Sequence, residues 1–464
     1  MNPNLRPDRL FCTREDHRLR VERVVREIQA HPGEPLRLAK RTSNLFRSRQ
    51  KHQGLRLDVA DFCHVISIEN GRAEVEGMTT FEDFADACLS RGFSPPVVPE
   101  LKTITVGGAV TGIGIESASF RNGFVHETVE EMDILCGDGV VRTCRADNEH
   151  ADLYFAFPNS YGTLGYALRL VLRLERALPN VKLSYRRFAE ARQLLSELES
   201  ACAVEGPGRP DFVEAVAFAP DDFVLSLGWR TQNSGPTSPI AGKTPYYLTL
   251  REKPTDLLTA RDHLWRWDAD WFWCSFRFGL QTPWIRALLG RWMLRSSSYW
   301  KILTGWRKYR MEEKVRALKK FFRRPDHRRE PVIQDVELPL PSCEAFLDFY
   351  WKTIDIRPLW LCPIRPLPSK QPWTLYDLPD RLHVNFGFWD SVPTTADLPK
   401  DHFNRLLERK VVDLGGHKSL YSTSYFEEDE FWRIYAGDAY RALKAKYDVG
   451  RALPDLYAKA VKNR

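Results

Sequence analysis

A segment of about thirty residues that is dense in proline and glycine constrains this chain more than any other feature. It begins at Ser94 and reads SPPVVPELKTITVGGAVTGIGIESASFRNG. Because proline lacks an amide proton and glycine is conformationally free, this composition predicts an irregular loop. Residues without side chains let main-chain N–H groups approach phosphate oxygens closely, and the peptide dipoles favour the anion. The segment is therefore predicted to bind a phosphate group through Gly107, Gly108, Gly112 and Gly114.

Common nucleotide-binding loops do not match this segment. A P-loop needs G-x-x-x-x-G-K followed by serine or threonine, and that pattern is absent here. The G-x-G-x-x-G fingerprint of dinucleotide-binding folds fails at its third position, which is Ser117, and prolines stand where a strand should lead in. The remaining alternative is that the glycines only make tight turns. Two further glycine segments in the same half of the chain, at Gly123 and at Gly162 to Gly165, count against that alternative.

Length and composition set the class of protein. A chain of 464 residues predicts two lobes, and 43% hydrophobic with 28% charged residues is typical of folded globular proteins. The net charge of +7 is too small and too mixed along the chain to predict a nucleic-acid partner. Nine cysteines are scattered without C-x-x-C or zinc-like spacing, so no metal site is predicted. No apolar run of about 18 residues predicts a membrane span, and the charged amino terminus lacks a secretion signal.

Local patterns predict several elements around the glycine segment. Apolar spacing predicts a helix from Asp8 to about Ala30, and a hairpin is predicted to turn at Asn70-Gly71. A helix is predicted from Thr80, where Asp83 completes a near-capping pattern. The alternating run RLHVNFGFWD, which contains His383 and Asn385, predicts a strand with these two side chains on one face.

Several motifs resemble one flavoprotein family. TVGGAVTGIGIESASFRNGF, DILCGDGVVRTC and DLYFAFPNSYGTLG are similar to the FAD-binding domain of the vanillyl-alcohol-oxidase or PCMH-type flavoproteins. PVIQDVELPLPSCEAF, RPLWLCPIRP and SLYSTSYFEEDEFWRIY resemble the delta(24)-sterol-reductase-like branch, which includes bacterial reductases of methylene-branched fatty acyl chains. The likeness covers most of residues 20 to 464. It implies an α+β fold, in which a two-subdomain PCMH-type FAD-binding domain precedes a second α+β substrate (cap) domain.

The sequence changes character near Pro179, after which it is rich in aromatic and basic residues, so a second lobe is predicted to begin there. Residues 1–178 are expected to form the FAD-binding domain, and residues 179–425 the cap domain. Residues 426–464 are expected to form a helical tail that packs back near the FAD-binding domain.

The resemblance implies FAD as the cofactor and assigns residues to it. Arg41, Thr42, Ser43 and Asn44 occupy the first loop, where some family members carry a histidine that bonds FAD covalently, so non-covalent FAD is expected. The other positions expected to line FAD are Gly107, Gly108, Gly112, Gly114, Glu116, Ser117, Gly123, Gly162, Thr163 and Gly165.

An aromatic and basic segment, residues 262–329 approximately, predicts contact with a membrane surface. Eight of the fourteen tryptophans lie between Trp265 and Trp306, interleaved with arginines. Tryptophan is enriched at the membrane–water interface, where its ring contacts apolar lipid and its N–H contacts water. Basic side chains contact lipid phosphates. The prediction is a peripheral patch on an anionic membrane, at the cytoplasmic inner face of the cell membrane. The alternative is that these aromatics form a substrate pocket or a subunit contact.

The expected chemistry is reduction of an isolated carbon–carbon double bond of a lipid. Such an alkene has no carbonyl to absorb charge, so a proton donor must assist hydride transfer. The sequence offers four candidates for catalytic roles, which are Glu337, His383, Tyr421 and Tyr425. Asn385 lies on the same strand face as His383. The hypothesis is an FAD-dependent oxidoreductase of the CH–CH donor class that takes its electrons from NADPH and acts on a methylene-branched fatty acyl chain or a sterol side chain.

Three alternatives remain open at this stage. The first is the reverse reaction, in which the protein would be an FAD-dependent desaturase of a methyl-branched acyl chain. A soluble flavin oxidase of a small alcohol or lactone is the second. A membrane-bound scaffold without turnover is the third.

Overall fold

The structure is a computed structural model that describes residues 9–40, 54–294, 296–298, 301–302, 328–395 and 397–463. The first loop, with Arg41, Thr42, Ser43 and Asn44, lies outside these residues, as does most of the basic run before Arg328. None of the helices in the described ranges is both long enough and apolar enough to cross a bilayer.

Fourteen α-helices occur within the described ranges. They are α1 Arg14–Gln29, α2 Phe81–Ser90, α3 Val106–Thr111, α4 Ser119–Asn122, α5 Ala151–Ala156, α6 Ala191–Ala203, α7 Tyr246–Thr249, α8 Ala260–Leu264, α9 Pro283–Met293, α10 Cys343–Thr353, α11 His402–Asp413, α12 Glu428–Ile434, α13 Gly437–Tyr447 and α14 Leu456–Ala460.

Seventeen strands occur within the same described ranges. They are β1 Leu36–Ala39, β2 Leu55–Asp58, β3 Val65–Glu69, β4 Arg72–Glu76, β5 Phe93–Ser94, β6 Val129–Leu135, β7 Val141–Cys144, β8 Tyr166–Arg173, β9 Glu175–Arg176, β10 Asn180–Phe188, β11 Phe212–Ala219, β12 Asp222–Thr231, β13 Thr255–Thr259, β14 Arg329–Pro339, β15 Leu359–Ile364, β16 His383–Pro393 and β17 His417–Lys418.

The amino-terminal half is built on an antiparallel sheet with strand order β3-β4-β8-β6-β7. Strands β1 and β2 form a separate parallel pair. Helices α2 and α3 pack on the sheet, and their apolar residues join its core. Sheets and helices both contribute to the core, so the α+β fold class is confirmed.

Local sequence explains where these elements begin and turn. Asn70 and Gly71 both have positive φ, of 50° and 72°, as the two-residue turn between β3 and β4 requires. The hydroxyl of Thr80 accepts a hydrogen bond from the Asp83 N–H at 3.2 Å and so caps α2. Both predictions are confirmed.

A larger antiparallel sheet dominates the second half, with strand order β13-β10-β12-β11-β15-β16-β14-β17. Helices α6, α10 and α11 cover one face and bury apolar residues such as Leu198, Phe346 and Leu407 against it. Against the other face pack residues of the glycine segment, including Ile113, Ile115 and Phe124. The two halves therefore share a buried interface that is made by the most constrained segment of the chain.

The glycine segment is more regular than its composition predicts. It contains the six-residue helix α3 and the four-residue helix α4. Thr105 caps α3 by accepting a hydrogen bond from the Gly108 N–H at 3.1 Å, and α4 ends at Gly123, whose φ is 69°. The prediction of a wholly irregular loop is wrong because a threonine cap and a glycine stop with positive φ allow short helices after the prolines.

The carboxyl-terminal helices pack on the amino-terminal half. Phe431, Tyr440, Leu443 and Tyr457 belong to the same buried core as the first sheet. The chain thus returns to its first half after completing the large sheet.

Candidate active site

The amides of the first two glycines are used within the protein. Gly107 donates to the Gly77 carbonyl at 2.9 Å, and Gly108 donates to the Thr105 hydroxyl. A Cβ on Gly107 would lie 2.8 Å from the Gly77 oxygen, so this glycine lets two main chains touch. These two N–H groups do not face a phosphate. The accessible part of the loop is instead the exposed Gly108 with the half-buried Thr111 and Gly112.

A strained turn lies against this accessible part. Asn159, Tyr161 and Gly162 have φ values of 61°, 51° and 75°, and the Tyr161 hydroxyl donates to the Gly112 carbonyl at 3.3 Å. Ile113, beside Gly112, also has a positive φ, which is rare for a β-branched residue. Backbone strain of this kind costs about 1–3 kcal/mol per residue and concentrates at ligand-binding sites. The loop at Gly112 and the loop at Gly162 are therefore neighbours, and the backbone is strained where they meet.

Three other predicted glycines are explained by packing. A Cβ on Gly114 would lie within about 3 Å of Val125, Ala109 and Pro99. Gly123 and Gly165 have positive φ, and added Cβ atoms would meet the Glu127 carboxylate at 2.1 Å and the Ile134 side chain at 2.5 Å. The Thr163 hydroxyl is buried and donates to the Ser160 carbonyl at 2.8 Å. These positions shape the loops that surround Gly112 and Tyr161.

Glu116 and Ser117 turn their side chains into a buried polar network between the two halves. Ser117 donates to Glu116 at 2.7 Å and accepts from Arg266 at 3.0 Å. Arg266 is fully buried and also donates to Glu214, on β11, at 2.8 Å. Burial raises the pKa of Glu116, and the cation of Arg266 opposes that rise. Through Arg266, the glycine segment is tied to the large sheet.

The large sheet presents a row of polar side chains toward the amino-terminal half. In the antiparallel register, Asp335 is paired with Gly387, Glu337 with Asn385, and Asn385 with Cys362. Directly paired residues share a face, so Asp335, Glu337, Asn385 and His383 lie on the face opposite Val384 and Phe386. The predicted shared face of His383 and Asn385 is confirmed.

Glu337 is a buried carboxyl without a cation beside it among the described residues. Its partner is the Tyr376 hydroxyl, which donates to it. Burial raises the pKa of Glu337 to about 8, Asp335 adds to the rise, and the hydrogen bond from Tyr376 lowers it. The group is therefore protonated at neutral pH and is able to donate a proton.

Asp335 is a second carboxyl of this face. It accepts a hydrogen bond from Asn385 at 3.1 Å and one from Tyr421, whose hydroxyl also accepts from the Trp389 indole at 2.9 Å. Burial raises the pKa of Asp335 to about 7, although both of its hydrogen bonds lower it. Two carboxyls at alternate positions of one strand, each bonded to a tyrosine, thus occupy the polar row.

A short chain of contacts joins the strained turn to Glu337. Asn159 donates to the Leu375 carbonyl at 2.8 Å, and the next residue, Tyr376, bonds to Glu337. Burial, followed by smaller effects of Glu337 and Tyr161, raises the pKa of Tyr376 well above its usual value. The accessible glycine edge and the carboxyl row are therefore parts of one region.

The remaining predicted catalytic residues differ in position. His383 lies on the row, its Nδ1 is 2.9 Å from the Arg381 carbonyl, and burial lowers its pKa to about 4. It is therefore neutral and a poor acid at neutral pH. Tyr425 lies elsewhere: its N–H donates to Glu408 and its ring lies beside Lys418. The structure brings Glu337, His383 and Tyr421 together, but not Tyr425.

Four buried polar atoms around this region have no partner within the described parts of the chain. They are Asn159 Oδ1, His383 Nε2, Asn385 Oδ1 and His417 Nδ1, and His417 is paired with Glu337 across β14 and β17. Buried polar atoms are nearly always hydrogen-bonded, so these atoms require a bound group or water. Bound FAD, whose ring system has polar edges, would supply hydrogen-bond partners for atoms of this kind. The residues present therefore fit FAD.

The tryptophan segment is only partly a surface feature. Trp265, Trp267, Trp271 and Trp273 are at most 5% exposed. Trp267 and Trp273 pack with Phe272 and Trp360 beside the polar row, and Phe272 lies 4.3 Å from Trp389, centre to centre. The prediction that the whole segment faces a membrane is wrong for these four, because the same amphipathic ring also suits an interdomain wall. The exposed apolar residues follow them, at Phe276, Trp284 and Leu288.

Among the residues that the structure describes, one group of metal-ligating residue types lies outside this row. Cys12, His64 and Glu76 bring their ligand atoms within 4.8 Å of one another. Arg20 donates to Glu76 at 2.8 Å and to the Cys12 sulfur at 3.0 Å, and burial raises the pKa of this thiol to about 11. The ion pair within this group is the one between the Arg20 guanidinium and the Glu76 carboxylate.

Sequence reasoning missed four residues of the region. Asp335 could have been found, since it stands two positions before Glu337 in a strand and so shares its face. Trp389 could have been found in the same way, since it stands four positions after Asn385 in the predicted strand RLHVNFGFWD. Tyr161 and Tyr376 carried no such signal, because their partners are distant in sequence.

Known proteins resemble this chain in sequence. Residues 16–145 match a family described as an FAD binding domain. Delta(24)-sterol reductase of Homo sapiens is 27% identical over 434 residues, which cover 89% of this chain and 78% of that protein. The Arabidopsis thaliana delta(24)-sterol reductase is 25% identical over 461 residues, covering 91% and 79%. Cytokinin dehydrogenase 4 of Arabidopsis thaliana is 26% identical over 160 residues, covering 34% of this chain and 30% of its own.

Proposed function

We propose that this FAD-dependent oxidoreductase, a relative of the delta(24)-sterol reductases, reduces an isolated carbon–carbon double bond of a lipid with a proton from Glu337. The observation that carries the proposal is the buried carboxyl of Glu337, which contacts the Tyr376 hydroxyl and whose pKa is raised by burial to about 8. The relatives named as sterol reductases support a lipid double bond as the substrate. A sterol side chain and a methylene-branched acyl chain both contain such a bond.

The chain's own residues would hold the cofactor at the strained turn. Gly108, Thr111 and Gly112 offer an accessible main-chain edge beside Tyr161. Arg41, Thr42, Ser43 and Asn44 are proposed to bind the pyrophosphate, with FAD held non-covalently, although they lie outside the described residues. Bound FAD, reduced by NADPH, would supply a hydride to one carbon of the alkene.

Glu337 would supply the proton to the other carbon. When one alkene carbon bears two alkyl groups, protonation of its neighbour places positive charge on the more substituted carbon, which then accepts the hydride. The carboxyl becomes a carboxylate, and a proton from solvent restores it after each turnover. Tyr376 holds the carboxyl in place, and the aromatic faces of Trp389 and Phe272 stabilise the developing cation in a water-poor region.

Product labelling tests this assignment. Holoprotein is incubated in D₂O with unlabelled NADPH and a phospholipid that carries a methylene-branched acyl chain, or with a sterol that has an unsaturated side chain. A saturated product from either substrate, with deuterium on the less substituted carbon, is expected. Formation of no saturated lipid from either one, together with rapid oxidation of NADPH by air, would show that the chain is an oxidase.

The pH dependence of turnover should report the Glu337 carboxyl. Its folded-state pKa is raised, so the acid form is present below about pH 8 and is lost as the pH rises through that value. The rate is expected to be flat at lower pH and to fall about tenfold per unit above pH 8. In the Asp335→Asn variant a neighbouring negative charge is gone, so the break should move to lower pH. If the pH at which the rate begins to fall is unchanged in that variant, the charge of Asp335 does not influence the titrating group.

We also propose that the exposed apolar residues after the tryptophan wall contact the surface of an anionic membrane. Phe276, Trp284 and Leu288 are 71%, 70% and 68% exposed, and Trp284 and Leu288 lie four residues apart on α9. They follow directly on Trp273, whose ring lies 5.4 Å from Trp389, centre to centre, so a lipid entering here would meet the aromatic wall. The inner face of the cell membrane remains the proposed location.

Vesicle sedimentation tests the membrane contact. The double variant Trp284→Ser with Leu288→Ser is expected to bind anionic vesicles at least about tenfold more weakly than the parent does. It lacks the two large apolar side chains that would be transferred from water into the membrane. Leu19→Ser, at a leucine that is 49% exposed on α1, is the matched control and should bind as the parent does. Equal sedimentation of the double variant and the parent would exclude α9 as the contact.

A further inference from the structure

The last forty residues contact the parts of the chain that are proposed above to hold FAD, and the inference that follows rests on that proposed site. Helices α12, α13 and α14 bury Phe431, Tyr440 and Tyr457 in the core of the first sheet. These residues lie beyond the range that matches an FAD binding domain. Their contacts nevertheless converge on the strained turn and on the strand that leads to the first loop.

Two lysines of this segment reach the main chain of the strained turn. Lys459, in α14, donates to the Tyr161 carbonyl. Lys444, in α13, donates to the Thr163 carbonyl at 3.1 Å and to the Leu453 carbonyl at 3.0 Å. An ammonium group that donates to a carbonyl makes a stronger hydrogen bond than a neutral donor does. Two charged donors, Lys459 and Lys444, therefore hold the main chain of the turn at Tyr161.

The same segment holds the strand that enters the first loop. Leu36, at the start of β1, donates to the Ala452 carbonyl at 2.7 Å, and the Leu36 carbonyl accepts from the Tyr166 hydroxyl at 3.3 Å. Asp448 accepts from the Ala452 N–H at 2.8 Å and pairs with Lys444. One compact group of contacts thus fixes both main-chain pieces between which the cofactor is proposed to lie.

Strain makes this support necessary. Tyr161 has a φ of 51°, and a non-glycine residue keeps such a conformation only where its surroundings hold it. On its other side, the Tyr161 hydroxyl contacts the Gly112 carbonyl. Release of the Tyr161 carbonyl would let the turn relax and would move its ring away from the glycine edge.

We propose that residues 426–463 form a clamp for the FAD site, in which Lys459 is a positioning residue that holds Tyr161 against Gly112. The clamp acts on the cofactor through the turn and takes no part in proton or hydride transfer. Its loss should therefore weaken FAD binding and alter the flavin spectrum before it affects anything else.

The test compares FAD release from purified holoproteins. Lys459→Met is expected to speed FAD dissociation by roughly 10- to 100-fold, the range for loss of a hydrogen bond from a charged donor, and to shift the visible spectrum of the bound flavin. Lys459→Arg, which keeps a charged donor, should restore most of both. Lys462→Met is the matched control, because Lys462 is three residues away and its ammonium contacts Glu428 and the Tyr457 ring, whereas that of Lys459 contacts the strained turn.

The possible outcomes separate the clamp from a general loss of structure. Circular dichroism checks folding, and if Lys459→Met does not fold, Lys459→Gln replaces it: glutamine keeps only a neutral N–H donor, so FAD dissociation faster than in the parent and in Lys459→Arg is expected. FAD release and spectrum equal to the parent in Lys459→Met would overturn the proposal, as would equal losses in Lys459→Met and Lys462→Met. The readout is bound flavin and not lipid turnover. A holoprotein that binds FAD through the clamp but reduces no lipid would refute the proposed function and leave the clamp standing.

Discussion

Replacing Glu337 with glutamine is expected to lower the rate of lipid double-bond reduction by about 10²- to 10⁴-fold, the usual contribution of a general acid. Glutamine keeps the shape of the side chain and an acceptor for the Tyr376 hydroxyl, but it has no acidic proton. FAD should remain bound, because Glu337 lies on the large sheet and not on the glycine loops. Steady-state turnover with the visible flavin spectrum as a check on loading measures both.

The control for this variant is Glu344→Gln. Glu344 lies in the first turn of α10, on the opposite face of the same sheet, and its half-exposed carboxylate contacts Arg192. It should turn over at the parental rate. If Glu337→Gln also keeps the parental rate and its pH profile, the proton comes from another group, and Asp335 is the next carboxyl on the row.

Replacing Arg266 with methionine is expected to destabilise the protein by about 3–5 kcal/mol, the usual effect of removing one partner from a buried ion pair. Arg266 is fully buried and is the cation shared by Glu214 and Glu116, from β11 and from the glycine segment. Without it two carboxyl groups remain buried between the halves of the molecule. Differential scanning calorimetry of the holoprotein should show a fall in Tm of several degrees.

Two further variants qualify this result. Arg192→Met removes a pair on the protein surface, where an ion pair contributes about 0–1 kcal/mol, and should leave Tm nearly unchanged. Glu214→Gln added to Arg266→Met removes one stranded charge and should recover part of the loss. A Tm within experimental error of the parent for Arg266→Met alone would mean that the network does not join the two halves.

Sequence was sufficient where a few adjacent residues determine the structure. The turn at Asn70-Gly71 needs only two residues with positive φ, and the start of α2 needs only the Thr80 hydroxyl. The shared face of His383 and Asn385 follows from the period of a strand. For the same reason Glu337 could be chosen as a candidate before its surroundings were known.

Sequence was insufficient where partners are far apart along the chain. Tyr376 reaches Glu337 across 39 positions, and Lys459 reaches Tyr161 across 298. Neither tyrosine lies in a periodic pattern that would mark it. The membrane prediction for the tryptophans failed for another reason, since an indole ring suits a buried wall and a membrane surface equally well. Only the exposed fraction of the side chain distinguishes Trp267 from Trp284.

The central claim is that a reduced flavin at the strained turn passes its electrons to a lipid alkene under the Glu337 carboxyl. The most direct measurement is anaerobic: the holoprotein is photoreduced, mixed rapidly with a methylene-branched acyl phospholipid or an unsaturated sterol, and followed by flavin absorbance. Return of the oxidised flavin spectrum with one of the two lipids, fast in the parent and at least a hundredfold slower in Glu337→Gln, is the predicted result. A flavin that stays reduced with both lipids and is reoxidised only when air is admitted would contradict it.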